Sequence, residues 1–319
     1  MAVNRERRKI SLTLITTTLN EAATVDELVA AVRAQTRQPD EWIVADGGSG
    51  DGTAERLRAS GACTVIELPN ANISTGRNRA IREAAGEIVA VIDAGCRPAP
   101  RWLERLVEPI EAGRAEICAG PTRPMIEKPF DAAQWVLLDQ FVTAGGPRKP
   151  ALSSRSLAFR REAWADCPYP EWLPIGEDRW LIDEWRRRGR RFEILPDDPA
   201  ASVFWRMRPT VGAFLRQHFR YMRGDGRAGL RTATNLARAG FYVVLFILFL
   251  LGKGGAAAGL ALWSAYWILT AMARMSLVCT ERGVFFSLQT LFWLLPGLLT
   301  MDLAKLIGYG FGRFDRLRI

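Results

Sequence analysis

Four carboxylates carry most of the chemistry this chain could do: Asp46, Asp93, Glu177 and Asp178. Asp46 closes the apolar run Trp42-Ile-Val-Ala, and Asp93 closes Ile88-Val-Ala-Val-Ile. Both runs have strand length and carry β-branched residues, and glycine follows each within two residues. A carboxylate at the carboxyl end of a buried strand lies where open α/β sheets bind ligands. It can hold a hard cation through oxygen or take a proton from a hydroxyl. A lone Asp at such a place can equally cap the next helix or brace a turn. Glu177-Asp178, taken as a dipeptide, reads as acids favourably placed at a helix N-terminus.

The stretch Gly47-Gly-Ser-Gly-Asp51-Gly-Thr53 looks at first like a phosphate loop. Its glycines fit neither the P-loop nor the dinucleotide spacing, which argues against a P-loop ATPase and an ordinary NAD enzyme. His218 is the single histidine, which disfavours a multi-histidine metal site or an ordinary Ser-His-Asp triad. The five cysteines are scattered without a Cys-x-x-Cys pair, indicating neither a zinc site nor a disulfide framework. Among 319 residues the net charge is +9, which points to an anionic partner. No nucleic-acid motif accompanies that charge. The charged N-terminal residues lack a signal-peptide pattern.

Alternating elements must position these groups. Lys9 to Thr16 reads as a strand, and Thr24 with Glu27 as a capping box opening a helix whose Val25, Leu28, Val29 and Val32 share one face. Strands follow at 41–45, 63–68 and 87–93, with helices after Thr53 and Asn72. Strand, helix, strand, helix, strand predicts a doubly wound α/β domain with a mainly parallel sheet, Asp46 and Asp93 facing one crevice. Further on, helices are expected at 102–110, 130–142 and 179–188, short strands at 115–120, 192–195 and 201–205, and an amphipathic segment at 210–222. The polar loop Ser153-Ser-Arg-Ser156 reads equally as a ligand contact or as plain loop.

Composition changes near residue 238. Residues 241–270 contain one charge, Lys253, and residues 283–301 contain none. Tracts of this kind suit a membrane. The expected division is 1–238 as a catalytic domain and 239–319 as membrane helices. Gly252-Lys-Gly-Gly255 suggests a hairpin turn, Gly255 and Gly259 permit close helix contact, and Pro296 predicts a kink. Arg216, Arg220, Arg223, Arg227, Arg231 and Arg238 place the preceding side in the cytoplasm by the positive-inside rule, and Arg313, Arg316 and Arg318 do the same for the C-terminus. Two spans plus an interfacial or re-entrant segment reconcile the two.

Six motifs in order then carry a resemblance: Thr17-Thr-Leu-Asn20-Glu21, Val44 to Thr53, Gly76-Arg-Asn78, Ile92-Asp93-Ala-Gly-Cys96, Gly176-Glu177-Asp178 and Gln217-His-Phe-Arg220-Tyr221. Over residues 10–224 the chain resembles the inverting family 2 glycosyltransferases, and its apolar tail is similar to membrane-bound bacterial members that build polysaccharides, such as the succinoglycan-synthesis branch. The resemblance implies a GT-A, Rossmann-like mixed but mainly parallel sheet with helices on both faces, followed by transmembrane or interfacial helices. It also implies roles. Thr18, Asn20 and Glu21 would line the nucleotide pocket, Asp46 would take hydrogen bonds from the base, and Arg77 would approach the diphosphate and sugar. Asp93 would be the first acid of the Asp-x-Asp motif, holding Mg2+ or Mn2+ on the donor diphosphate. Asp178 would be the catalytic base. Glu177, Gln217, Arg220 and Tyr221 would lie near the acceptor and diphosphate, Tyr221 replacing a tryptophan. The departure is at Asp93-Ala94-Gly95, where the second metal-motif acid is missing, so a metal is an open expectation.

The implied activity is transfer of a sugar from a nucleotide-diphosphate sugar, taken as UDP-linked, to a lipid-linked or nascent glycan acceptor at the cytoplasmic face of the cell inner membrane. Partners would be donor, acceptor and membrane, and no nucleic acid. Two alternatives stand beside it: a polyprenyl-phosphate sugar synthase, and a non-catalytic membrane scaffold built on a degenerate transferase domain.

Overall fold

The computed structural model describes residues 10–138, 152–282 and 288–317. The ends of two expected segments, 139–142 and 284–287, lie outside the described residues, as do Arg318 and the N-terminal charges. The chain divides into two compact units, Met1–Arg123 with Leu152–Trp205, and Pro124–Ala151 with Arg206–Ile319.

The first unit is built on a seven-stranded sheet. Its strands are β1 (Leu12–Thr18), β2 (Glu41–Asp46), β3 (Thr64–Glu67), β4 (Ile88–Asp93), β6 (Ile117–Ala119), β8 (Leu157–Arg160) and β9 (Phe192–Ile194), in the order β3-β2-β1-β4-β8-β6-β9. Neighbours run parallel from β3 to β4 and again between β6 and β9; β8 alone pairs antiparallel, with β4 and β6. The expected mixed, mainly parallel α/β fold is therefore present. Ile88 to Ile92 are all 0% exposed. A strand buried on both faces reads as continuously apolar rather than alternating, as this one does. Short β5 (Cys96–Pro98) pairs antiparallel with β10 (Val203–Arg206), and β7 (Thr122–Met125) completes that smaller sheet.

Helices α1 (Val25–Arg33), α2 (Thr53–Ser60), α3 (Ile73–Glu83) and α4 (Trp102–Glu111) connect the strands, and α1 buries the four expected residues Val25, Leu28, Val29 and Val32. The capping box at Thr24 does not form. Its hydroxyl instead donates to a carboxylate oxygen of Glu21 at 2.7 Å. A capping hydroxyl must accept from the helix amides, and this one does not. Helices α6 (Arg161–Asp166) and α7 (Glu177–Arg187) complete the unit. The stretch 199–201 is a single 3-10 turn capped by Asp198 rather than the start of a strand.

The second unit is helical: α5 (Pro129–Leu137), α8 (Val211–Ala228), α9 (Thr232–Leu250), α10 (Gly252–Arg282) and α11 (Leu288–Arg316). Helix α8 runs well over a turn beyond the expected amphipathic segment, and α11 passes through Pro296 without interruption. A Cβ on Gly308 or Gly312 would run into backbone carbonyls of Phe219 or Arg223, so glycine lets α11 lie directly on α8. Gly252 turns α9 into α10 with φ +80°, and Gly255 and Gly259 face Leu248, forming the expected hairpin. Its apolar surface is uncovered: Phe246, Phe249 and Leu250 are 62%, 67% and 66% exposed.

Candidate active site

The ends of β1, β2 and β4 lie side by side in register, Thr18 opposite Asp46 and Thr17 opposite Asp93. Helix α3 delivers a cation to this edge. Gly76 permits its approach, since a Cβ there would meet the Thr17 methyl at 3.2 Å. One residue on, Arg77 is 1% exposed and spans two acids, donating to Asp93 at 2.8 Å and to Glu177 at 2.5 Å. Its guanidinium also lies over the Tyr169 ring at 5.2 Å, where the ring face attracts a cation. Asn78 fixes that ring by donating to the Tyr169 carbonyl at 2.9 Å and accepting from its amide at 3.1 Å. The Gly76-Arg-Asn78 motif thus divides into a close contact, an internal bridge and an anchor.

Glycine at 176, with φ +82°, turns the chain into α7 and puts both acids in its first turn. Glu177 is buried, whereas Asp178 is half-buried. The Asp178 carboxylate accepts from the amides of Arg179 at 2.8 Å and Ser154 at 3.3 Å. Burial and the neighbouring Asp178 charge push Glu177 up to about 7, against the opposing pull of Arg77. For Arg77, burial works to lower the pKa, but the charges of Glu177 and Asp93 hold it above its ordinary value.

Sequence reasoning did not single out Arg155. Its guanidinium sits 3.7 Å from Asp93 and 4.4 Å over the Trp205 ring. The aromatic face pins it there. The polar run Ser153 to Ser156 was the only local signal, and nothing in it distinguishes a site cation from a loop cation. Ser154 was equally hidden: its hydroxyl bonds the Tyr169 hydroxyl at 2.8 Å while its amide holds Asp178.

The loop residues fall as follows. Asp46 is 1% exposed, and its carboxylate accepts from the amides of Gly48 and Ser49 at 2.9 and 2.7 Å and from the Ser49 hydroxyl at 2.6 Å. It braces the glycine-rich turn. Asn20, at φ +56°, ties itself to that turn through Ser49 and Gly50. Glu21 approaches Gly95: a Cβ built there would lie 3.5 Å from both Glu21 carboxylate oxygens. Gln217, Arg220 and Tyr221 belong to the second unit, on α8, where Gln217 donates to the Tyr221 hydroxyl at 2.8 Å and Arg220 is exposed.

Among the described residues, the first unit has three buried side-chain polar atoms without a hydrogen-bond partner: Thr18 Oγ1, Arg77 Nε and Trp205 Nε1. Thr18 ends β1, Arg77 grips Asp93, and Trp205 supports Arg155 beside Asp93. Buried donors left open at one edge of a sheet are what a ligand site requires.

Residues 13–149 match the family described as Glycosyl transferase family 2. They form a family 2 glycosyltransferase domain. Glycosyltransferase AglE of Haloferax volcanii is 27% identical over 251 residues, covering 72% of this chain and 77% of that protein. An undecaprenyl-phosphate 4-deoxy-4-formamido-L-arabinose transferase of Serratia proteamaculans is 34% identical over 95 residues, covering 27% of this chain and 28% of that protein. The mannosyltransferase PcManGT from Pyrobaculum calidifontis, solved with GDP-Man and Mn2+, shares the fold with a TM-score of 0.58 and 21% identity, covering 93% of this chain and 87% of that one. The GT-A expectation for the transferase domain is therefore met.

Whether the residues suit a divalent cation rests on their donor set. Among the described residues no three His, Cys, Asp or Glu side chains gather as a metal cluster. Asp93 nonetheless offers a one-third exposed carboxylate. It is of the hard oxygen type that Mg2+ and Mn2+ favour, and such ions take few protein ligands when a diphosphate and water supply the rest. The set fits a cation shared with a ligand rather than one caged by protein.

Proposed function

We propose that the protein is an inverting glycosyltransferase that moves a sugar from a nucleotide-diphosphate sugar to a lipid-linked or nascent glycan acceptor at the cytoplasmic face of the cell inner membrane. The observation that carries this reading is the cluster of unsatisfied buried donors around Asp93, on a family 2 transferase domain whose second acid pair opens α7. Thr18, Asn20, Glu21 and Asp46 shape the nucleotide side, with Asp46 acting through the turn it braces. Arg155 beside Asp93 supplies positive charge for a diphosphate. A divalent cation, when bound at Asp93, neutralises charge on the departing diphosphate.

Asp178 is the base of this scheme. It takes the proton of the acceptor hydroxyl as that oxygen bonds to the anomeric carbon, while the bond from that carbon to the diphosphate oxygen breaks on the opposite face. One displacement inverts the centre. The two backbone amides on Asp178 fix the direction of its carboxylate. Gln217, Arg220 and Tyr221 serve acceptor and diphosphate. The uncovered apolar hairpin α9–α10 supports membrane attachment. Thr232–Leu250 and Gly252–Met272 are long and apolar enough to span, with 6% and 11% of their apolar windows buried. A span needs about 20 apolar residues, which both supply. Helix α11, with buried Asp302 and Lys305 and exposed Phe311 and Phe314, suits the interface.

The experiment is sugar transfer by the full chain in detergent, using UDP- and GDP-sugars, with polyprenyl phosphate and a polyprenyl-diphosphate-linked sugar as acceptors, with and without EDTA. Wild type should consume donor and invert the anomeric centre, and Asp178→Asn should lose about 10²–10⁴-fold in rate. The match to the undecaprenyl-phosphate transferase favours a second reading, in which the lipid phosphate itself attacks. A phosphate oxygen needs no strong base, so that reading expects Asp178→Asn to stay active on polyprenyl phosphate. Failure of every nucleotide to bind by calorimetry sinks both and leaves the scaffold.

A further inference from the structure

Two residues after Asp93, where the family pattern has its second acid, this chain has Gly95. The backbone does not demand glycine, because Gly95 is not among the residues with positive φ. Nor is the position closed, since the nearest atoms to a Cβ there lie at 3.5 Å, an ordinary contact distance. What occupies the space beyond is the carboxylate of Glu21, both oxygens equidistant from that point.

Glu21 is held to this placement from several sides. Its amide donates to Thr53 Oγ1 at 2.9 Å, and the preceding Asn20 is fixed in a left-handed conformation by the glycine-rich turn. The Thr24 hydroxyl, diverted from capping α1, donates to Glu21 Oε2 at 2.7 Å. Among the described residues no hydrogen-bond donor approaches Oε1. An aspartate at 95 would set a second negative charge against Glu21, so the glycine and the glutamate are complementary choices.

We infer that Glu21 is the second cation-holding carboxylate of the donor site, standing in from the β1–α1 loop for the side chain that Gly95 lacks. The ligand is a hard divalent cation, Mg2+ or Mn2+, with Asp93, Glu21 and donor diphosphate oxygens around it. The inference rests on the donor-site reading above and reassigns Glu21 from nucleotide to metal.

The test is binding rather than turnover. Mn2+ is titrated into the full-length protein saturated with UDP and, in parallel, with GDP, and free Mn2+ is read by electron paramagnetic resonance. Glu21→Gln should weaken Mn2+ binding about tenfold or more, since even partners one shell removed from a metal cost about 10–100-fold. Thermal unfolding confirms that the variant is folded. The swap E21A/G95D, which returns an acid to position 95 and empties the space beside it, should regain most of the lost affinity. A brace for Thr24 alone would leave Mn2+ binding untouched by Glu21→Gln. Wild-type affinity in Glu21→Gln, or a swap as weak as that variant, overturns the inference while leaving nucleotide binding in place. Wild type that binds neither nucleotide removes the donor-site reading along with it.

Discussion

Arg77→Met tests whether one buried guanidinium organises the site. The substitution keeps the aliphatic stem that packs in α3 and removes the charge shared by Asp93 and Glu177. The Arg77 and Glu177 side chains are 2% and 6% exposed, so water cannot replace the lost partner. Breaking a buried pair on one side costs about 3–5 kcal/mol because the remaining charge stays uncompensated. At roughly 2–4 °C per kcal/mol for a domain of this size, the transferase domain should melt about 6–20 °C lower. Arg77→Lys should fall between the two, since a single ammonium cannot fork to both carboxylates.

The assay is circular dichroism of thermal unfolding in detergent, run on wild type, Arg77→Met, Glu177→Gln and the double variant. R77M/E177Q should recover a large part of the loss, because a neutral amide at 177 no longer needs a counter-ion, giving a coupling of about 0.5–3 kcal/mol. A double variant no more stable than Arg77→Met, or a single variant within about 1 kcal/mol of wild type, would refute the argument that the bridge is buried and charged.

Glu177 titrates at about 7 in the folded state, above its ordinary 4.5. The folded protein therefore binds the extra proton between those values, and wild-type stability should fall as pH rises through that window. Urea unfolding at two pH values, one near each end of the window, should show a flatter dependence for Glu177→Gln than for wild type; equal slopes would contradict the assignment. On the apolar hairpin, F246D/F249D places charges on exposed positions. Each costs about 2.5–3.5 kcal/mol in a bilayer, so the variant should leave the carbonate-resistant membrane pellet. Wild type released by carbonate would count against the membrane reading.

The sheet was legible because its strands are written locally. Ile88 to Ile92 and Leu12 to Ile15 are buried, so their residues are mostly apolar along the run, and the terminal Asp of β4 marks where burial stops. The smaller pieces were not. β5 is Cys96–Pro98, a strand of three residues whose pairing with Val203–Trp205 depends on a partner far along the chain. Thr24 misled for a related reason. Its spacing to Glu27 satisfies the capping pattern, but Glu21 competes for the same hydroxyl, and a pattern of two residues carries no information about a third.

The charged site shows the same limit more sharply. Arg77 stands 16 residues from Asp93 and 100 from Glu177, so no local window contains the bridge. Read singly, Arg77 is a cation near a glycine and invites an external phosphate as partner. Its burial decides otherwise. Ser74, Gly76, Asn78, Ala80 and Ile81 are buried around it, and an arginine on such a face must find its anions inside the protein. That requirement hands the outward positive charge to a residue that can remain half-buried beside Asp93, and Arg155, propped on Trp205, is placed to carry it. The donor edge therefore uses two arginines for two different tasks. The inner one sets where Asp93 and Glu177 stand, and the outer one meets the ligand.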